Sequence, residues 1–175
     1  MSKILSSKQP RRAFLRLVTA LALFACLAPL ATAQAKPPRD VKHYNLGKHA
    51  LALSGYDPVA YFEEGGGKPK KGDAKLELVH EGARYRFASE ANRALFQKSP
   101  AKFEPAYGGW CAYAMAQKEK VEIDPESFLL RDGRLMLFYK GWFNDTREKF
   151  EKDPAALSKK ADEKWAELIA PPKPK

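Results

Sequence analysis

Two stretches of this chain carry the same order of local signals, and that order leaves few folds open. In the first, Leu76, Leu78 and His80 alternate with Glu77 and Val79, Glu81-Gly82 can turn the chain, and Arg84-Tyr85-Arg86-Phe87 alternates again. That pattern predicts a β-hairpin. Ser89 follows as an N-cap whose hydroxyl can accept from a free amide, and the helix it opens would bury Leu95 and Phe96 and stop before Pro100. In the second stretch, residues 128–131, the turn Asp132-Gly133 and residues 135–139 give a stronger hairpin signal, because Asp-Gly suits the positive φ angles of a type I′ turn. Asn144 or Asp145 can cap a helix containing Phe150, and Asp153-Pro154 is a cap and first-turn pair for a last helix toward Trp165 and Leu168. Phe96-x-x-x-Pro100 matches Phe150-x-x-x-Pro154. A hairpin-helix unit used twice and a chance likeness over so few positions both account for the match. With either, the class is α+β: a single small domain of antiparallel hairpins with short packing helices.

Residues 1–35 have the three parts of an export signal. A basic start (Lys3, Lys8, Arg11, Arg12, Arg16) precedes an apolar run over 17–30, then small residues at Ala31-Thr32-Ala33 and Ala35. The run is too short and alanine-rich for a membrane span. Pro10-Arg11-Arg12-Ala13-Phe14-Leu15-Arg16 resembles the twin-arginine export signal, although Pro10 stands where that pattern usually has Ser or Thr. An ordinary secretory leader is the alternative. Either leader places the mature protein in the periplasm or outside the cell.

Of the net charge of +10, the leader holds five Lys/Arg and no Asp/Glu, so the mature chain carries +5. That is modest, and outside the cytoplasm nucleic acid is not an expected partner; Lys68, Lys70 and Lys71 read as a solvated loop. After the leader, residues 36–44 form a proline-containing linker, 45–169 the folded domain and 170–175 a proline-rich tail that is not expected to fold. The domain is long enough to bury about two-thirds of its unfolded surface without disulfides.

Loss of the leader removes Cys26 and leaves Cys111 alone. A solitary thiol makes no internal disulfide, so Cys111 is a packing atom, a soft metal ligand, a nucleophile or half of a bridge to a partner. Gly108-Gly109 precedes it, and Trp110 to Ala116 reads as a small-residue helix, with Ala112, Ala114 and Ala116 permitting close approach, lying in the interior between the two hairpin-helix units.

Four segments in order resemble the YHS domain family. They are Gly55-Tyr56-Asp57-Pro58-Val59-Ala60-Tyr61-Phe62, then Gly82-x-x-Tyr85-x-Phe87-x-Ser89, then Phe96-x-x-x-Pro100-x-x-Phe103, and Tyr107-Gly108-Gly109-Trp110-Cys111-Ala112, which is similar to a segment of the exported branch. The resemblance spans about residues 45 to 168. It implies a small α+β module related to metal-binding cysteine domains, and a metal-handling role, often with copper. Where the metal-binding relatives have cysteines, this chain has Ala60, Ala88 and Asn92, so a multi-thiolate zinc-type site does not carry over.

The soft donors left are Cys111, Met115 and Met136, with His43, His49 and His80 as nitrogens. Cys111 and Met115 are four apart and share a helix face, and a thiolate with a thioether suits Cu(I), with His80 as a third ligand. The competing reading is that Cys111 and Met115 are core residues on a tight helix. A cysteine nucleophile would need a base such as His80 and an orienting group such as Asp57, yet Asp57-Pro58 reads as a turn, and no enzymatic activity is expected. The functional reading is a non-enzymatic, copper-type binding module with Cys111, Met115 and His80 as ligands. The alternative is an accessory or scaffold protein that engages a partner or small ligand through Trp110, Trp142, Tyr107 and Phe143, with Cys111 purely structural.

Overall fold

A computed structural model describes residues 39–171; residues 1–38, where an export signal is expected, and the end of the tail, 172–175, lie outside the described residues. The α+β class holds. Strand β1 (Asp73–His80) pairs antiparallel with β2 (Ala83–Phe87), and β3 (Asp124–Arg131) with β4 (Arg134–Phe138). A two-residue pair, β5 (Lys140–Gly141) and β6 (Asn144–Asp145), makes a third small hairpin. The helices are α1 (Glu90–Lys98), α2 (Pro100–Phe103), α3 (Ala112–Met115), α4 (Thr146–Phe150) and α5 (Pro154–Ile169).

The local signals work as their chemistry dictates. Both hairpin turns put two residues at positive φ, Glu81 and Gly82 (44° and 91°) and Asp132 and Gly133 (51° and 73°), as a type I′ turn requires. Ser89 Oγ accepts from Asn92 N, Asp145 from Arg147 N and Asp153 from Ala156 N, so each expected cap satisfies a free amide of its helix.

The unit is used twice, and more completely than two matched letters imply. Every pairing of the first hairpin recurs 51 positions later: Asp73 with Phe87 becomes Asp124 with Phe138, and His80 with Ala83 becomes Arg131 with Arg134, with the register slipping at the same place in each. The approach to each hairpin is shared too. Leu53, Ser54 and Gly55 run left-handed (55°, 51°, 82°), and 54 positions on so do Tyr107, Gly108 and Gly109 (55°, 60°, 88°). Ser99 and Asp153, which precede the N-terminal prolines of α2 and α5, have nearly the same backbone angles (−149°, 64° and −148°, 71°).

The two units stack, and β4 is the layer between their cores. Strand β2 buries one face only, through Ala83, Tyr85 and Phe87. Strand β4 buries both: Leu135 and Leu137 join Tyr61, Phe62, Phe96 and Phe103 in the first core, whereas Met136 and Phe138 join Met115 and Phe150 in the second. The second core is closed at its far end by α5, whose Leu157, Ala161 and Trp165 recur every fourth residue and so line one helix face. The outer face of the first hairpin has no such cover and carries Glu77, Arg84 and Arg86 at the positions of Phe128, Leu135 and Leu137.

Two expectations are corrected. The small-residue helix spans only Ala112–Met115, because left-handed Gly108 and Gly109 and extended Trp110 keep the chain from starting a helix earlier, and Lys118 at φ 64° ends it. It packs within the second unit, against α4, α5 and β4, rather than between the two units. The described part of the 36–44 stretch is also fastened to the domain. Arg39 forks onto Glu104 at 2.8 and 2.6 Å, Tyr44 stands edge-on to Trp165, and Trp110 Nε1 donates to His43 O at 2.6 Å. Among the described residues no helix is long and apolar enough to cross a membrane.

Candidate functional site

Cys111 sits at the residue before α3, with no measurable exposure. Its amide donates to Val121 O at 3.1 Å, and its carbonyl accepts from Met115 N at 2.9 Å. Its sulfur lies 3.3 Å from Thr146 Oγ1. That hydroxyl spends its own hydrogen on Tyr139 O at 2.9 Å, which leaves the thiol as the donor in the contact. Met115 is equally buried in the same cluster, with Phe138 and Phe150.

The repeat explains what the position does. Asp57 is the counterpart of Cys111, 54 positions earlier, and Asn92 is the counterpart of Thr146. Asp57 is fully buried; its Oδ1 accepts from Val59 N at 2.8 Å, and its Oδ2 accepts from Ala88 N at 2.8 Å and Asn92 Nδ2 at 2.6 Å. One carboxylate thus ties the loop that opens the unit to the end of β2 and to α1. Cys111 and Thr146 hold the same three pieces of the second unit with a single thiol contact and Thr146's bond to Tyr139 O. Asp57 therefore forms more than the local turn read from Asp57-Pro58, and both positions are joints of the repeat.

The structure brings two of the three expected ligands into one cluster and puts the third elsewhere. His80 ends β1, half-buried, with its ring 5.9 Å from Phe96 in the first core. Its charged neighbour is Glu104: burial pushes that carboxyl up, but hydrogen bonds from Arg39 and Tyr85 outweigh the burial and hold it below the usual carboxylate range, with a smaller pull from His80. His43 Nδ1 is near Lys120, and His49 is exposed in a loop. Among the described residues no three His, Cys, Asp or Glu side chains are grouped so as to hold a metal ion. A copper ion at Cys111 and Met115 would have two sulfurs, a hydroxyl that already donates elsewhere, and no imidazole from His80. Sealed sulfurs in an apolar cluster do not make a fitting donor set.

This arrangement predicts slow thiol chemistry. In the folded mature protein Cys111 should react with a maleimide or an aromatic disulfide reagent only on the timescale of unfolding, and at once in denaturant. Rapid labelling of the native protein, or Cu(I) competition against a chelator that Cys111→Ser abolishes, would show the sulfur to be available.

The aromatic residues divide sharply. Tyr107 is buried and donates to Asp162 Oδ1 at 3.0 Å, and Trp110 is half-buried, so neither lines a groove with the other two. Trp142 and Phe143 are 97% and 101% exposed at the tip of the β5–β6 hairpin. That hairpin is an addition to the second unit. Four residues separate Phe87 from Asn92 in the first unit, and seven separate their counterparts Phe138 and Thr146 in the second. The stem is anchored: Asp145 Oδ1 accepts from Ser127 Oγ and Arg147 N, both at 2.9 Å, while the two rings touch no core. A cleft of about 380 Å³ lies beside them, walled by Lys140, Asn144, Asp145, Arg147 and Glu148. Trp142 and Phe143 were legible in the sequence as contact aromatics; their place on an insertion was not.

No family model, curated protein or solved structure matches this chain.

Proposed function

We propose that the protein is an exported, non-enzymatic binding module of the YHS kind that docks to a partner protein through the Trp142–Phe143 tip, with Cys111 a structural joint. The observation that carries this reading is the full exposure of two large aromatic side chains on a segment the repeat can do without. Water contact costs such rings about 1.5–3 kcal/mol each relative to burial. Neither ring contributes to either core, so their exposure has no return in folding. Aromatic anchors of this kind dominate the energy of protein interfaces when a pocket receives them. The non-enzymatic part is supported by Cys111, whose polar neighbour is a threonine rather than a base, and by Asp57, whose two oxygens are fully occupied. Export rests on the leader at residues 1–35.

The test compares immobilised mature protein with Trp142→Ser/Phe143→Ser in an extract of the compartment to which the leader directs it. One defined species should be retained by the parent and by the nearby control Lys140→Ala, and lost from the double variant, with melting temperature unchanged in all three. Retention of the same species by parent and double variant would remove the tip from binding, and a sharp fall in the variant's stability would assign the rings a structural role instead.

A further inference from the structure

We infer that the open face of the first hairpin is a binding site for a small oxyanion, a carboxylate or phosphate group held by Arg84, Arg86 and Lys48. The repeat marks this face as special. Its counterparts in the second unit, Phe128, Leu135 and Leu137, are apolar and packed into the first core, the last two with almost no exposure. In the first unit no hairpin packs on the face, which only the 48–55 loop borders, and the same positions hold Glu77, Arg84 and Arg86.

One carboxylate positions both guanidinium groups. Arg84 Nη1 donates to Glu77 Oε2 at 2.7 Å, and Arg86 Nε to Glu77 Oε1 at 2.8 Å. Arg84 Nε adds a bond to His49 O at 3.3 Å, which draws the 48–50 loop over the strand. His49 and Ala50 hold left-handed backbone there (φ 58° and 59°), which side-chain-bearing residues adopt rarely. Both Glu77 oxygens are then occupied, yet Arg84 Nη2, both Nη atoms of Arg86 and Lys48 Nζ have no acceptor among the described residues. The group carries three cations against one carboxylate, so it keeps a formal charge of +2 around a cavity of about 220 Å³ lined also by His49 and Leu51. That volume is below the range of drug-sized ligand pockets and suits an inorganic ion or a short dicarboxylate rather than a nucleotide. Guanidinium forks held in place by a neighbour lose little freedom on meeting a planar or tetrahedral oxyanion.

The experiment is a titration of the mature protein, at constant ionic strength, with inorganic phosphate and separately with succinate, followed by amide and arginine Nε–H shifts, with chloride as control. Saturable shifts at His49, Leu51, Arg84 and Arg86 are expected with at least one of the two, and which one saturates at lower concentration distinguishes phosphate from carboxylate. Arg86→Ala should weaken binding about tenfold, the loss of one charge-assisted contact. Lys48 is exposed and unpaired among the described residues, so Lys48→Ala should weaken binding while leaving the melting temperature unchanged, and it decides the matter if Arg86→Ala unfolds. Shifts that stay linear, that chloride reproduces, or that survive both substitutions would overturn the site and leave the face a charged cap over an unstacked hairpin.

Discussion

Replacing Asp57 by alanine is expected to cost about 4 kcal/mol of folding stability, because it strips three donors of their acceptor inside a fully buried joint. Val59 N, Ala88 N and Asn92 Nδ2 all point at this one carboxylate, and none has another acceptor there. In a domain of this size the loss should lower the melting temperature by roughly 15 °C. Asp57→Asn should be nearly as harmful, since one oxygen becomes an NH₂ that faces a donor. Cys111→Ala at the equivalent joint should cost only about 1–2 kcal/mol, the value of one weak thiol contact and a small void. Thermal and denaturant unfolding of the three variants measures the contrast. Equal losses at Asp57 and Cys111 would mean that the two positions do not share a role, whereas a neutral Asp57→Ala would mean that the joint does not hold the unit together.

The second large effect concerns the shared strand. Leu137→Arg should cost about 4 kcal/mol or more, because Leu137 is 1% exposed in the first core and pairs with Phe128 where Arg86 pairs with Glu77. The counterpart Arg86→Leu should change stability by no more than about 1 kcal/mol, since it removes a partly exposed ion pair with Glu77, whose carboxylate keeps Arg84. It should also give the open face an apolar residue like those through which the second hairpin packs on the first unit. Concentration-dependent light scattering is the measurement: Arg86→Leu should self-associate where the parent does not, because a face that packs head-to-tail has nothing to close it. A stable, folded Leu137→Arg would show that β4 does not separate two cores as described.

Much of the architecture was legible because its determinants are local. The caps at Ser89, Asp145 and Asp153 and the turns at Glu81-Gly82 and Asp132-Gly133 act over two to four residues, so the letters sufficed. The repeat was legible only in part. Its left-handed approach uses Leu53, Ser54 and Tyr107, residues that give no sign of positive φ, and only tertiary packing holds them there. One further signal lies in the letters: Leu135-Met136-Leu137-Phe138 is an unbroken apolar run, the pattern of a strand buried on both faces. At the candidate site the sequence placed Cys111 and Met115 on neighbouring turns, but spacing gave no access to Thr146, 35 residues on, or to His80's place in the other core.

By itself, then, the sequence determined the two hairpins, the capped helices, the α+β class, and the solitude of Cys111 once a leader is removed. Those follow from hydrogen bonds and periodicities that neighbours along the chain satisfy. Tertiary structure alone decided that Asp57 and Cys111 are equivalent joints, that β4 serves two cores while β2 serves one, and that Trp142 and Phe143 stand on an inserted tip. The physical reason is that burial and partner choice depend on which residues distant in sequence close over a side chain.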